Sequence, residues 1–236
     1  MLAISIFNVH ATKINASALA QYKTLISASI KQFEDTQRDK WSYKVHRMEN
    51  EEGNITDRIE LFTPHQDKSK QWSLLELNGR KPTLKQQEEF IQSRLEITKS
   101  QGQGDTSFAV QLSKLIDMKS LTLLRENTNH AELAFDVHIE KLGDDAKGKL
   151  DGLLTFNKQQ QFIDSIEIRN NSDFSPMFSA SISNLKINMK FHKLAQSILP
   201  LENSMLMQGT FAFFTEIDET SSDQYSEFHY RAANNP

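Results

Sequence analysis

The stretch Leu133-Ala-Phe-Asp-Val-His-Ile139 reads as one β-strand, because Leu133, Phe135, Val137 and Ile139 share one face of a two-residue period with polar residues mostly between them. After Gly143-Asp-Asp-Ala-Lys-Gly148, a hairpin loop, the same period returns as Leu150, Gly152, Leu154 and Phe156. Two alternating runs on either side of a turn predict an antiparallel hairpin with one apolar face. The pattern continues in both directions.

Downstream, Asn157-Lys-Gln-Gln160 turns the chain into a strand over Phe162–Ile168. Phe178, Ala180 and Ile182 then keep one phase, whereas Leu185, Ile187, Met189 and Phe191 keep the opposite one. A regular strand cannot change phase, so a bulge or break is predicted near Ser183-Asn184. Met205, Met207, Phe211 and Phe213 alternate in a late strand interrupted by Gly209, and Tyr225–Tyr230 closes the sheet.

Upstream, Leu121 and Leu123 alternate before a turn at Asn127-Thr-Asn129. Phe108–Ile116 reads as a short helix, and Gly102–Ser107 as an internal loop too short to separate domains. Thr83 and Gln86 have capping-box spacing behind Pro82, which predicts a helix to about Lys99 with Leu84, Ile91 and Leu95 on its buried face. Gln71–Leu77 is a strand ended by Asn78-Gly79. Ile55–Phe62 is the return strand of a hairpin whose first strand carries Trp41, Tyr43 and Val45 on one face, with a charged turn at Glu49–Asn54. Ser17 to Phe33 predicts an amphipathic helix with Leu19, Tyr22, Ile26, Ile30 and Phe33 inward.

The sum is a chain that is mainly β with helices (α+β), of about nine or ten strands in sequential hairpins. The expected architecture is one domain over residues 12–231: a large curved antiparallel sheet or half-open barrel with helices on its concave face. Leu2–Phe7 is a short apolar run, and Val9-x-Ala11 has signal-peptidase spacing, so residues 1–11 read either as the remnant of a signal peptide or as an ordinary N-terminal strand. Residues 232–236 are expected to be a disordered tail.

Composition narrows the functional classes. The formal charge is -4 across 236 residues, and Lys and Arg are interspersed with acids, so no basic stripe suggests a nucleic-acid partner. Cysteine is absent, which removes disulfides, thiolate metal sites and cysteine nucleophiles. No run approaches the ~18–20 apolar residues of a membrane-spanning helix. The 15 Phe, against 2 Trp and 4 Tyr, can fill a large core or line a cavity.

No motif for chemistry appears. None of the seven histidines has the spacing that sets two ligands on one helix or strand face. His130 and His138 share a strand face but lie roughly 26 Å apart along an extended strand. There is no nucleophile elbow, no P-loop, and Gly102-x-Gly104 lacks a third glycine. No cofactor or metal and no enzymatic activity is therefore expected, although carboxylates scattered in sequence can still meet in space. Trp41, Tyr43, Val45, Trp72, Phe135 and Phe156 are the candidate ligand-lining residues, chosen for strand alternation and size. Core packing is the commoner role of bulky aromatics on alternating strands, and of Met189, Met205 and Met207, although flexible thioethers also suit a pocket.

Several stretches together carry a family resemblance. They are Trp41-Ser-Tyr43, Trp72-Ser-Leu-Leu-x-Leu-Asn-Gly79-Arg-Lys-Pro-Thr83, Gly152-Leu-Leu-Thr-Phe156, Phe174-Ser-Pro176, Leu185-Lys-Ile, and Leu199-Pro200 leading into a strand through Gly209. In this order the chain resembles uncharacterised Gram-negative secreted proteins with a fold similar to the lipoprotein carriers LolA and LolB. The likeness covers most of residues 15–230 in layout. It implies a helix-lidded half-barrel in the periplasm with an apolar cavity for a lipid, lipoprotein or other hydrophobic molecule. None of the carriers' ligand-binding positions is matched residue by residue, and the missing cysteine rules out a LolB-type lipid anchor on the chain as given. Beside this binding protein stand two rivals: a structural or assembly protein acting through its surface, and an enzyme built from dispersed carboxylates or histidines.

Overall fold

The computed structural model describes residues 16–101, 111–212 and 215–231. The expected signal remnant, the Gly102–Ser107 loop, Phe213 and the tail lie outside them.

Chain order is helix α1 (Ala16–Glu34), strands β1 (Trp41–Glu51), β2 (Asn54–Phe62) and β3 (Trp72–Leu77), helix α2 (Leu84–Gln101) and the single turn α3 (Leu112–Leu115). Then come β4 (Thr122–Glu126), β5 (His130–Asp136), β6 (Leu150–Asn157), β7 (Phe162–Asn170), β8 (Phe174–Met177), β9 (Ala180–Leu194), β10 (Ser197–Phe211) and β11 (Thr215–Tyr230). The strands form one 11-stranded sheet in the order β3-β2-β1-β11-β10-β9-β7-β6-β5-β4, with β8 paired to β9. Every pairing is antiparallel, and the sheet does not close, because β3 and β4 are its edges.

The β5–β6 hairpin follows its pattern. Ala131, Leu133 and Phe135 are buried, as are Leu150, Gly152, Leu154 and Phe156. Phe135 pairs with Gly152, and a Cβ at Gly152 would fall 2.4 Å from the Phe135 ring, so the glycine leaves the notch that the ring fills. β5 stops at Asp136; Val137 makes a bridge with Ile116 instead, which pins the segment after α3 to the sheet.

The bulge in β9 is where the phase change requires it. Asn184 pairs with Gln208 and Ile182 with Gly209, leaving Ser183 as the extra residue. A Cβ on Gly209 would lie 2.1 Å from the Ser181 carbonyl oxygen, so the two backbones meet more closely there than any side chain allows. Phe178 does not join this strand. It sits in the turn before β9 and is 96% exposed, because the β8–β9 hairpin is too tight to return it to the inner face.

Helix α1 closes one flank of the inner face. Tyr22, Ile26, Ile30 and Phe33 recur at three- and four-residue steps and are all buried. Tyr22 meets Phe156 of β6 at 6.1 Å and Phe33 meets Phe191 of β9 at 5.0 Å, both edge-on, so the helix crosses the sheet from β6 to β9. Ser29 is a polar residue on this apolar stripe, and its Oγ accepts the backbone N–H of Ile163 at 2.9 Å, next to a register shift between β6 and β7. Ser29→Ala should therefore strand a buried donor and lower unfolding free energy by about 1–3 kcal/mol. Urea denaturation measures this, and a loss near zero would mean that water reaches Ile163.

Helix α2 begins with the predicted box: Gln86 N–H donates to Thr83 Oγ1 at 3.3 Å and Thr83 N–H to Gln86 Oε1 at 2.9 Å. Its buried face differs from expectation. Leu84 is 80% exposed, whereas Arg94 is buried. Leu84 stands in the first turn of the helix, and the side chain that ties the helix down is charged.

Candidate functional site

The inner face of the sheet changes character from one flank to the other. Cross-strand pairs run Leu123–Leu133–Leu154–Ile166–Met189 from β4 to β9. The same row continues Met189–Asn203–Asp223–Arg47–Arg58 from β9 to β2. The first half packs under α1; the second carries the charges that face α2.

Glu60 of β2 is fully buried and sits at the centre of that charged half. Arg94 of α2 donates to its Oε2, Arg58 Nε to its Oε1 at 3.2 Å, and Arg47 Nε lies 3.8 Å from Oε1. Arg58 also donates to Glu49 at 2.6 Å, and Arg47 Nε lies 3.0 Å from Asp223 Oδ1. The Arg94 guanidinium stacks 4.4 Å above Trp72 and 5.3 Å from the Phe90 ring centre. Three arginines thus face three carboxylates, and the formal charge of the network is zero.

The balance is not perfect in hydrogen-bonding terms. Arg47 Nη2 and Asn203 Oδ1 are buried without a hydrogen-bond partner, on either side of Asp223. Burial pushes the Asp223 carboxyl above the usual aspartate range, partly opposed by Arg47. For Arg47, burial pulls the other way, and Glu60 and Asp223 more than reverse it.

The six candidate lining residues are all buried. Tyr43 stacks on Phe62 at 5.2 Å and meets Trp72 edge-on at 6.1 Å. Trp41 packs against Tyr230 at 5.3 Å, and Val45 lies between Glu60 and Tyr225. These four come together on β1–β3. Phe135 and Phe156 lie apart from them, on β5 and β6 beneath α1. Arg47, Glu60, Asp223 and Arg94 were not singled out by the sequence reading. A signal for two of them existed: Arg47 continues the inward phase of Trp41, Tyr43 and Val45, and Glu60 shares that of Phe62.

Beyond α1, the same face stays apolar but is only half covered. Leu185 pairs with Met207, and Ile187 with Met205, across the long strands β9 and β10. Ile217 follows on β11 opposite Gly209. Ile187, Met205, Met207 and Ile217 are half-buried, forming a strip beside the polar Ser221 and Glu219.

His192 is a separate, half-buried polar group. Its ring packs 5.0 Å from Phe228, and Nε2 is buried with no partner. Burial holds its pKa below the ordinary value of 6.5. The unfolded chain therefore takes up a proton as pH falls through 6.5, while the folded chain does so only at lower pH. Stability should drop across that window and level off below it, and His192→Gln should flatten the drop. Urea midpoints between about pH 7 and pH 5 test this; an unchanged slope in the variant would remove His192 as the cause.

Among the described residues no group of three or more His, Asp or Glu side chains could hold a metal ion, and no helix is long and apolar enough to cross a membrane.

No family model matches the chain, and no curated protein does. Among solved structures, it is similar to a DUF1329 family protein from Desulfovibrio piger, with a TM-score of 0.36 and 8% identity over 92% of this chain and 95% of that one. It is also similar to the Pseudomonas aeruginosa MucA/MucB complex structure, with a TM-score of 0.23 and 8% identity over 90% of this chain and 100% of that one. Likeness at this level carries no functional argument. Function has to rest on the inner face of the sheet itself.

Proposed function

We propose that the chain is a non-enzymatic binding protein that carries a lipid, a lipoprotein acyl chain or another hydrophobic molecule in the periplasm. The supporting observation is the half-covered strip of Ile187, Met205, Met207 and Ile217, which continues the packed core out from under α1. The long strands β9–β11 hold these side chains at the inner surface with only partial cover. Trp41, Tyr43, Val45 and Trp72 on one side, and Phe135 and Phe156 on the other, are the floor of the ligand space in this reading.

Burying an acyl chain contributes about 0.8 kcal/mol per CH₂, so affinity needs no polar motif. The paired methionines adapt to ligands of different shape. Thermal unfolding of delipidated protein with fatty acids, phospholipids and acylated peptides tests the proposal. At least one class should raise the midpoint, and Met207→Asp should abolish that rise. No rise with any of them contradicts the reading.

One observation favours the surface-acting alternative. Met177, Phe178 and Phe211, at 58%, 96% and 44% exposure, gather where β8 and β10 end and β9 begins. In that reading, Phe178→Ser abolishes a stable complex recovered from envelope extract and leaves lipid response unchanged.

A further inference from the structure

We infer that the groove where the start of β1, the β2–β3 loop and the end of β11 meet is an anion site for a phosphate-bearing ligand. The groove encloses about 1020 Å³ and is lined by Lys40, Lys68, Arg231, His65 and Asp39 around the Tyr230 ring. Three permanent cations against one acid give this wall a formal excess of +2 in a chain whose net charge is -4. A phosphate monoester carries about -1.5 to -2 at pH 7, which matches that excess; a single carboxylate does not.

The cations are free to serve an outside ligand. Among the described residues, neither the Lys40 nor the Lys68 ammonium has a carboxylate within ion-pairing distance, and the Arg231 side chain bonds only the Ser42 hydroxyl, through Nε at 3.4 Å. The frame that holds them is braced by backbone. Arg231 N–H donates to the Lys40 carbonyl at 2.7 Å, and Thr63 N–H to the Gln71 carbonyl at 2.8 Å. Gln71 Nε2 donates to the His65 carbonyl at 2.8 Å.

His65 is set as a donor by the same bracing. Its Nδ1 accepts the backbone N–H of Asp67 at 2.9 Å, so the neutral ring carries its proton on Nε2. Tyr230 is 55% exposed, is held edge-on by Trp41 at 5.3 Å, and also lines an adjoining groove of about 520 Å³. It offers a flat apolar surface for whatever is esterified to the phosphate. The site stands apart from the strip of Ile187 and Met207, and neither depends on the other.

The phosphate can belong to a free metabolite or to a lipid headgroup, and the experiment separates them. Glycerol 3-phosphate is titrated into the full chain by calorimetry at about 20 mM salt, where exposed charges are little screened. In parallel, flotation is measured with phosphatidylcholine vesicles containing or lacking phosphatidic acid. Lys40→Glu/Lys68→Glu should weaken whichever interaction occurs by about tenfold or more, since it reverses two charge-assisted contacts. Lys81→Glu, outside the groove, should leave it unchanged. Calorimetric binding assigns a free phosphorylated ligand; flotation only with phosphatidic acid assigns a headgroup. Absence of both in the wild type, or equal binding by the double variant, overturns the inference.

Discussion

Glu60→Ala should lower the unfolding free energy by about 3–5 kcal/mol, the cost of removing one partner from a buried ion network. Glu60 is fully buried and is the common acceptor for Arg94, Arg58 and, more distantly, Arg47. Without it, Arg94 keeps only aromatic faces and other contacts, and Arg47 and Arg58 retain Asp223 and Glu49 in a site that no longer balances. Arg94→Met should cost clearly less, because Glu60 still has two guanidiniums and the methionine can lie on Trp72. Urea denaturation of both variants measures the difference. Equal costs, or a Glu60→Ala loss below about 1 kcal/mol, would mean that water already solvates this cluster.

The second large effect is expected at Phe33. Its ring is 2% exposed, packs 5.0 Å from Phe191, and lies 4.0 Å beneath the Arg38 guanidinium. Phe33→Ala removes both contacts from a fully buried position and should cost about 3–5 kcal/mol. Because Phe33 fixes the C-terminal turn of α1 over β9, amide exchange should also speed up selectively in α1 and along β7 and β10, against which the helix rests. Phe178→Ala, at a 96% exposed position, should change stability by no more than about 0.5 kcal/mol. A uniform rise in exchange across the whole sheet would show that α1 is not a separable cover.

The β5–β6 hairpin, the Thr83–Gln86 cap and the β9 bulge at Ser183 were legible because each rests on a local rule: alternation, a side-chain cap, or the impossibility of a phase change in a regular strand. The length of β11 was not. Thr215–Tyr230 runs sixteen residues, but its first half is Thr, Glu, Asp and Ser with only Ile217 apolar. Half-exposed strands carry little alternation, and their register comes from the neighbours they pair with.

The charged half of the site escaped for a related reason. Hydrophobic periodicity treats Arg47 and Glu60 as the end of the buried pattern, although their positions keep the inward phase. They face inward because they meet each other across strands, and Glu60 is fully buried because it also meets Arg94 from a helix that follows later in the chain. Arg94 likewise displaced Leu84 as the anchor of α2. A partner supplied from far along the chain leaves no trace in a local pattern. Aromatic size and alternation marked Trp41, Tyr43 and Trp72, and the structure gathers these three, but the same criterion linked them to Phe135 and Phe156 on the far flank.

Native mass spectrometry of the protein purified from a bacterial periplasm, followed by organic extraction, tests the central claim most directly. The carrier account predicts an added mass on the protein that extracts as lipid and disappears in Met207→Asp. A clean protein mass, with no binding of a fluorescent fatty-acid analogue, would contradict it.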